Sequence, residues 1–74
     1  MNLLQEVEAM QRILFRLVKF EKYHQMDVLE KKMVDLSERV VNHNKVNPSE
    51  NDRKALSIQE GNIMFYANIK KLVK

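Results

Sequence analysis

Two stretches of the chain carry apolar residues at alternating gaps of four and three positions, and this pattern limits the possible folds more than any other feature. On a helix of 3.6 residues per turn, the spacing forms one stripe that packs against another helix. The first stripe consists of Leu3, Val7, Met10, Leu14 and Leu17, and the second of Met26, Leu29, Met33, Leu36 and Val40. The pattern predicts an all-α protein with coiled-coil-like packing.

The composition agrees with one small helical domain over residues 1–74. The chain has one glycine, one proline and no cysteine, so it has few helix breakers and neither a disulfide nor a cysteine-based metal site. A single core in so short a chain supplies only about 3–5 kcal/mol of net stability. We therefore expect self-association or a bound partner.

The segment between the two stripes leaves the number of helices open. Its apolar positions advance by three residues at a time, from Leu17 to Met26, and each step turns the stripe by about 60° around a helix. Because the segment contains no glycine or proline, we predict one continuous helix over residues 3–43. The alternative is a break near residues 19–27, which would give a three-helix bundle.

A polar segment with the only proline predicts the connection to a second helix over residues 48–73. Asn47 is a candidate N-cap, Pro48 suits the first helical position and Glu50 the capping-box acid. A cap by Ser49 toward Asp52 is an equally good alternative. The apolar face expected for this helix comprises Ala55, Ile58, Phe65, Tyr66, Ile69, Leu72 and Val73, with Leu56 and Ile63 on one flank.

The predicted fold is thus an antiparallel helical hairpin whose first helix, roughly 60 Å long, overhangs a second of roughly 40 Å. Residues 13–20 form an apolar band around most of the first helix. We expect this surface to bind a second copy or a helical partner protein. If the chain bends after Phe20, the same residues would form a closed core instead. The expected binding residues are Leu3, Val7, Met10, Leu14, Leu17, Val18 and Phe20.

No constellation of catalytic or metal-binding residues is evident. The two histidines, His24 and His43, lack the spacing of a metal site. The carboxylates lie beside bases at helical spacing, as Asp27 lies beside Lys31, and resemble solvated ion pairs. We therefore predict a protein that is not an enzyme and has no cofactor.

The net charge of +3 is too small to indicate nucleic-acid binding by itself. An RNA- or DNA-binding dimeric hairpin is the alternative function, and its phosphate contacts would be Lys19, Lys22, Lys31, Lys32 and Arg39.

The first residues include two acids and no basic leader, which predicts neither secretory nor mitochondrial targeting. The apolar runs are too short to cross a bilayer, so we expect a cytoplasmic protein without a membrane partner.

The layout resembles that of a known family. A long helix, a turn with Asn47 and Pro48, and a shorter helix with an apolar, aromatic-containing segment at residues 63–69 are similar to the two-helix co-chaperones of type III secretion needle subunits. This resemblance implies a cytoplasmic protein that pairs with a helical-repeat chaperone and holds the needle subunit before export.

Overall fold

A computed structural model describes residues 2–46 and 48–72 and contains three helices, α1 (Leu3–Lys19), α2 (Met26–Val46) and α3 (Glu50–Leu72). A short 3-10 turn, Tyr23–Gln25, leads from α1 into α2. The Cα atoms extend over 40 × 17 × 17 Å. The all-α prediction is confirmed, but the helix predicted over residues 3–43 is divided, so the two-helix hairpin is corrected to the three-helix alternative.

The division follows a Schellman motif, a helix stop in which one residue adopts a left-handed conformation. The Lys22 amide donates to the Leu17 carbonyl at 3.0 Å, and the Glu21 amide donates to the Val18 carbonyl at 3.2 Å. Glu21 is the left-handed residue, with φ of 53°. Glycine is the usual residue at such a stop, and its absence is why the sequence favoured a continuous helix.

The start of α3 follows the alternative cap. The Asp52 amide donates to the Ser49 hydroxyl and the Ser49 amide to the Asp52 carboxylate, both at 3.1 Å, which forms a reciprocal capping box. Asn44 joins α2 to α3, because its side-chain amide donates to the Val40 carbonyl of α2 and, at 2.9 Å, to the Asp52 carbonyl of α3. The predicted cap Asn47 and the predicted last residue Val73 lie outside the described residues.

Both apolar stripes predicted from the sequence face the centre of the bundle. From Val7 to Leu17 and from Met26 to Val40 their members are at most 7% exposed, and Leu3 packs against them half-buried. The face predicted for α3 is only partly right, because Leu72 is 79% exposed and Ile58 and Phe65 are half-buried. The buried residues of α3 are Ala55, Gln59, Asn62, Tyr66 and Ile69.

Polar side chains in the centre of α3 join all three helices. The Asn62 amide donates to the Val7 carbonyl of α1 and to the Gln59 side-chain oxygen, both at 3.1 Å. The Gln59 amide donates to the Ser37 hydroxyl of α2 at 2.8 Å and to the Met33 carbonyl at 3.2 Å. We call Ser37, Gln59 and Asn62 the polar layer.

The polar layer is fully paired. Gln59 and Asn62 are 1% and 2% exposed, and a buried amide without partners costs about 1–3 kcal/mol. Among the described residues, no buried side-chain nitrogen or oxygen lacks a hydrogen-bond partner. Because each amide reaches its partner on another helix only when the helices are correctly aligned, we infer that the layer selects the register of the bundle.

Gly61 lies on the surface of α3. A Cβ atom built at this position would meet nothing within 4 Å. Close approach of another helix in the bundle therefore does not explain this glycine, and its position is that of a tolerated surface residue.

Replacing Glu21 with glycine should stabilise the bundle. Glycine adopts positive φ without the steric strain of a Cβ atom, but it also raises the conformational entropy of the unfolded chain. We expect a net increase of about 0.5–1 kcal/mol in the free energy of unfolding for Glu21→Gly. Thermal denaturation followed by circular dichroism measures the gain. Lys22→Gly is the matched control, since Lys22 has φ of −86° and glycine should destabilise there. An equal loss of stability in both variants would show that the backbone at Glu21 is not strained.

The polar layer should show coupled energetics. Asn62→Leu leaves the Gln59 oxygen without its donor, and we expect a loss of about 1–3 kcal/mol. Because Gln59→Leu with Asn62→Leu removes both partners, the double variant should lose less than the sum of the single losses. Urea denaturation measures these differences, and Asn68→Leu on the exposed face of α3 is the control. Strictly additive losses would show that the two amides act independently.

Candidate interaction groove

The bundle places six of the seven residues predicted to bind a partner in or against its own core. Phe20 is the exception; it is 58% exposed at the end of α1, and the Lys19 ammonium lies 5.5 Å from its ring centroid. Four of the seven are buried, namely Val7, Met10, Leu14 and Leu17, and two are partly buried against them, namely Leu3 and Val18.

The predicted overhang is absent because the turn after α1 folds the first helix back on the rest of the chain. α1 packs extensively on α3, and the Phe15 ring meets the Phe65 ring edge-on at a centroid distance of 5.2 Å. The reason for expecting a partner on the buried part of α1 therefore disappears. A binding surface has to be sought among the apolar side chains that the bundle leaves exposed.

A concavity of about 720 Å³ runs between α2 and α3. α3 packs more extensively on α1 than on α2, which leaves this side of the bundle open. Three β-branched residues, Val34, Val41 and Ile63, line the opening with exposures of 53%, 41% and 43%. We call this cleft the α2–α3 groove; Met33, Ser37, Tyr66 and Ala67 also line it.

The sequence contained a signal for this groove. Val34 and Val41 are seven residues apart, so they lie on one side of α2, next to the stripe that faces the core. The sequence pattern predicts Ile63 only on the flank of the α3 face. The sequence alone does not single out these valines, because the buried stripe already provides α2 with one apolar face. Whether a second apolar face stays exposed depends on where α3 packs.

Charged side chains border the α2–α3 groove. Lys70 of α3 and Glu30 of α2 meet at one end, with 3.4 Å between Nζ and Oε1. Lys45 lies at the other end, and Glu38 lies along the α2 edge. Both signs of charge are therefore available to a partner.

Tyr66 lines the groove and carries a buried hydroxyl. Its hydroxyl donates to the Met26 carbonyl at 3.3 Å. Burial raises the pKa of Tyr66, and the negative charge of Glu30 raises it further. Because the ordinary pKa of tyrosine is already about 10, the phenol is neutral at physiological pH. Tyr66 therefore contributes a neutral side chain to the lining of the groove, and its hydroxyl is already bonded within the bundle.

The basic residues of the nucleic-acid alternative include one that is already paired with acids. The Arg39 guanidinium donates to both carboxylate oxygens of Glu6, at 2.9 and 3.1 Å, and lies 3.3 Å from Asp35. The hydrogen bond to Glu6 is the largest cause of a raised pKa of Arg39. This residue therefore joins α2 to α1 within the bundle.

The two histidines lie in different elements, His24 in the 3-10 turn and His43 near the end of α2. Within residues 2–46 and 48–72, no three His, Cys, Asp or Glu side chains come together in a way that could hold a metal ion. None of the helices in these ranges combines the length and the apolar content needed to span a membrane.

The three-helix arrangement differs from the two-helix layout on which the resemblance to needle-subunit co-chaperones rests. Comparison with protein-family models, curated proteins and solved structures finds no match to this chain.

Proposed function

We propose that this chain is a non-enzymatic interaction protein that binds a helix of a partner in the α2–α3 groove. The observation that carries the proposal is the exposure of Val34, Val41 and Ile63 around one concavity. Grooves of this kind accept the apolar face of an amphipathic helix, whose anchors recur at intervals of three, four and seven residues.

The charges at the border of the groove favour one orientation and one kind of partner helix. Apolar side chains at the centre of an interface supply most of the binding energy, whereas charges at its rim select orientation and raise the association rate. Glu30 and Lys70 at one end and Lys45 at the other provide such a rim. We expect the partner helix to carry charges that complement both ends.

The proposal relocates the predicted binding surface and keeps its physical basis. Shielding of apolar helix surface remains the mechanism, but the surface is on α2 and α3 rather than on the first helix. Holding or assembling another helical protein in the cytoplasm, as the co-chaperone resemblance implies, is one form of this function. The apolar lining and charged border of the groove favour an amphipathic helix as the partner.

Site-specific photo-crosslinking in cells that express the chain tests this proposal. A photoreactive residue at position 41 lies in the groove and should form an adduct with the bound partner under ultraviolet light. The matched control is position 28, because Val28 is 62% exposed on α2 but does not line the groove. We expect several-fold more adduct from position 41, and Ile63→Asp should abolish it.

Equal or absent adducts at the two positions would contradict the proposal. Circular dichroism of the purified variants establishes that each retains its helices, so the comparison reports on the surface alone. The mass of the adduct identifies the partner, and twice the mass of the chain would indicate a second copy.

A further inference from the structure

We infer that the occupant of the α2–α3 groove is a second copy of this chain, with the two α2 helices antiparallel across a twofold axis. The inference rests on the proposed function and adds the identity and orientation of the partner. Its basis is a self-complementary arrangement of apolar and charged residues along the exposed side of α2.

The arrangement is symmetric about the middle of α2, between Ser37 and Glu38. Val34 and Val41 lie at equal distances from this midpoint, and so do Glu30 and Lys45. An antiparallel pair of α2 helices therefore sets Val34 against Val41 of the partner subunit. The same symmetry sets Glu30 against Lys45 of the partner subunit, and each contact occurs twice, as a twofold interface requires.

These residues share one narrow strip of the helix surface. With a rotation of about 100° per residue, Glu30, Val41 and Lys45 all lie within about 40° of Val34 around the helix axis. Seven-residue spacing keeps a seam facing its partner over several turns when two helices cross at about 20°. The valines can therefore pack together along one contact line.

Lys45 is available for this contact. Among the described residues it belongs to no ion pair, whereas Glu30 is already joined to Lys70 at 3.4 Å. In the dimer the Glu30 carboxylate would lie between two ammonium groups, Lys70 of its own chain and Lys45 of the partner subunit. A carboxylate has four acceptor positions and can serve both.

A dimer interface on this side would extend beyond α2. The whole bundle extends over 40 × 17 × 17 Å between extreme Cα atoms, so a standard interface of about 800 Å² from each partner would occupy most of one long face. Ile63 lies in the same groove and adds apolar surface from α3. Like charges approach at two places and limit the affinity: the two copies of Glu38 beside the axis, and Lys70 near Lys45 of the partner subunit, where the Glu30 carboxylate lies between them.

Charge reversal in the purified full-length chain tests the orientation. Sedimentation velocity over a range of concentrations should show the unmodified chain in a monomer–dimer equilibrium. Glu30→Lys and Lys45→Glu should each weaken self-association by about tenfold, because two attractive pairs become repulsive in each dimer. Lys32→Glu, outside the groove on the α1 side of α2, is the charge-matched control and should change dimerisation less than threefold.

Mixing the two variants gives the decisive result. A dimer of one Glu30→Lys chain and one Lys45→Glu chain restores both opposite-charge pairs, so the mixture should associate as tightly as the unmodified chain. A misfolded variant could not produce this recovery. A monomeric unmodified chain at millimolar concentration, or a mixture no tighter than its components, would overturn the inference.

The two proposals fail in different ways. An adduct from position 41 with a different protein, together with a monomeric purified chain, would retain the groove as a binding site and reject self-pairing. Absence of the adduct from position 41 would instead reject the groove as the site used in cells.

Discussion

The left-handed turn at Glu21 determines how the rest of the molecule is arranged. It ends α1 with two backbone hydrogen bonds, from Lys22 to Leu17 and from Glu21 to Val18, and it allows the chain to reverse before α2. The reversal brings the apolar side of α1 onto α3. It also accounts for the apolar positions that advance by three residues from Leu17 to Met26, because this segment contains the turn and is not a continuous helix. Without it, Leu14 and Leu17 would lie on a long helix beyond the reach of α3. The backbone strain of a non-glycine residue, about 1–2 kcal/mol, is offset by the burial that the reversal makes possible.

The polar layer distinguishes this core from a uniformly apolar one. Apolar side chains such as Leu, Met and Val tolerate small shifts of one helix along another, because dispersion contacts have little directionality. The Asn62 and Gln59 amides do not tolerate them, since a shift of one turn separates them from the Val7 carbonyl and the Ser37 hydroxyl. Hydrogen bonding in the core therefore supplies alignment, and apolar burial supplies most of the stability.

The position of α3 also decides which surface remains for binding. By packing more extensively on α1 than on α2, α3 helps to cover all the predicted binding residues except Phe20 and leaves Val34, Val41 and Ile63 around an open groove. The proposed interaction function thus relies on a second apolar strip of α2, separate from the strip that faces the core. The proposed pairing with an antiparallel second copy rests on the opposite charges of Glu30 and Lys45 at the two ends of this strip.

The sequence by itself determined the helical class and the two stripes, Leu3 to Leu17 and Met26 to Val40, because helical periodicity is a local property that apolar spacing reveals. It also contained the Ser49 cap as one of two alternatives. Only the tertiary structure decided that the chain breaks at Glu21, since a left-handed glutamate carries no recognisable signal. The burial of Gln59 and Asn62 was equally hidden, because their hydrogen-bond partners lie on other helices. The groove followed from the same cause: whether an apolar side chain such as Val34 is buried or exposed depends on which neighbour packs beside it, and that choice is made by the whole bundle.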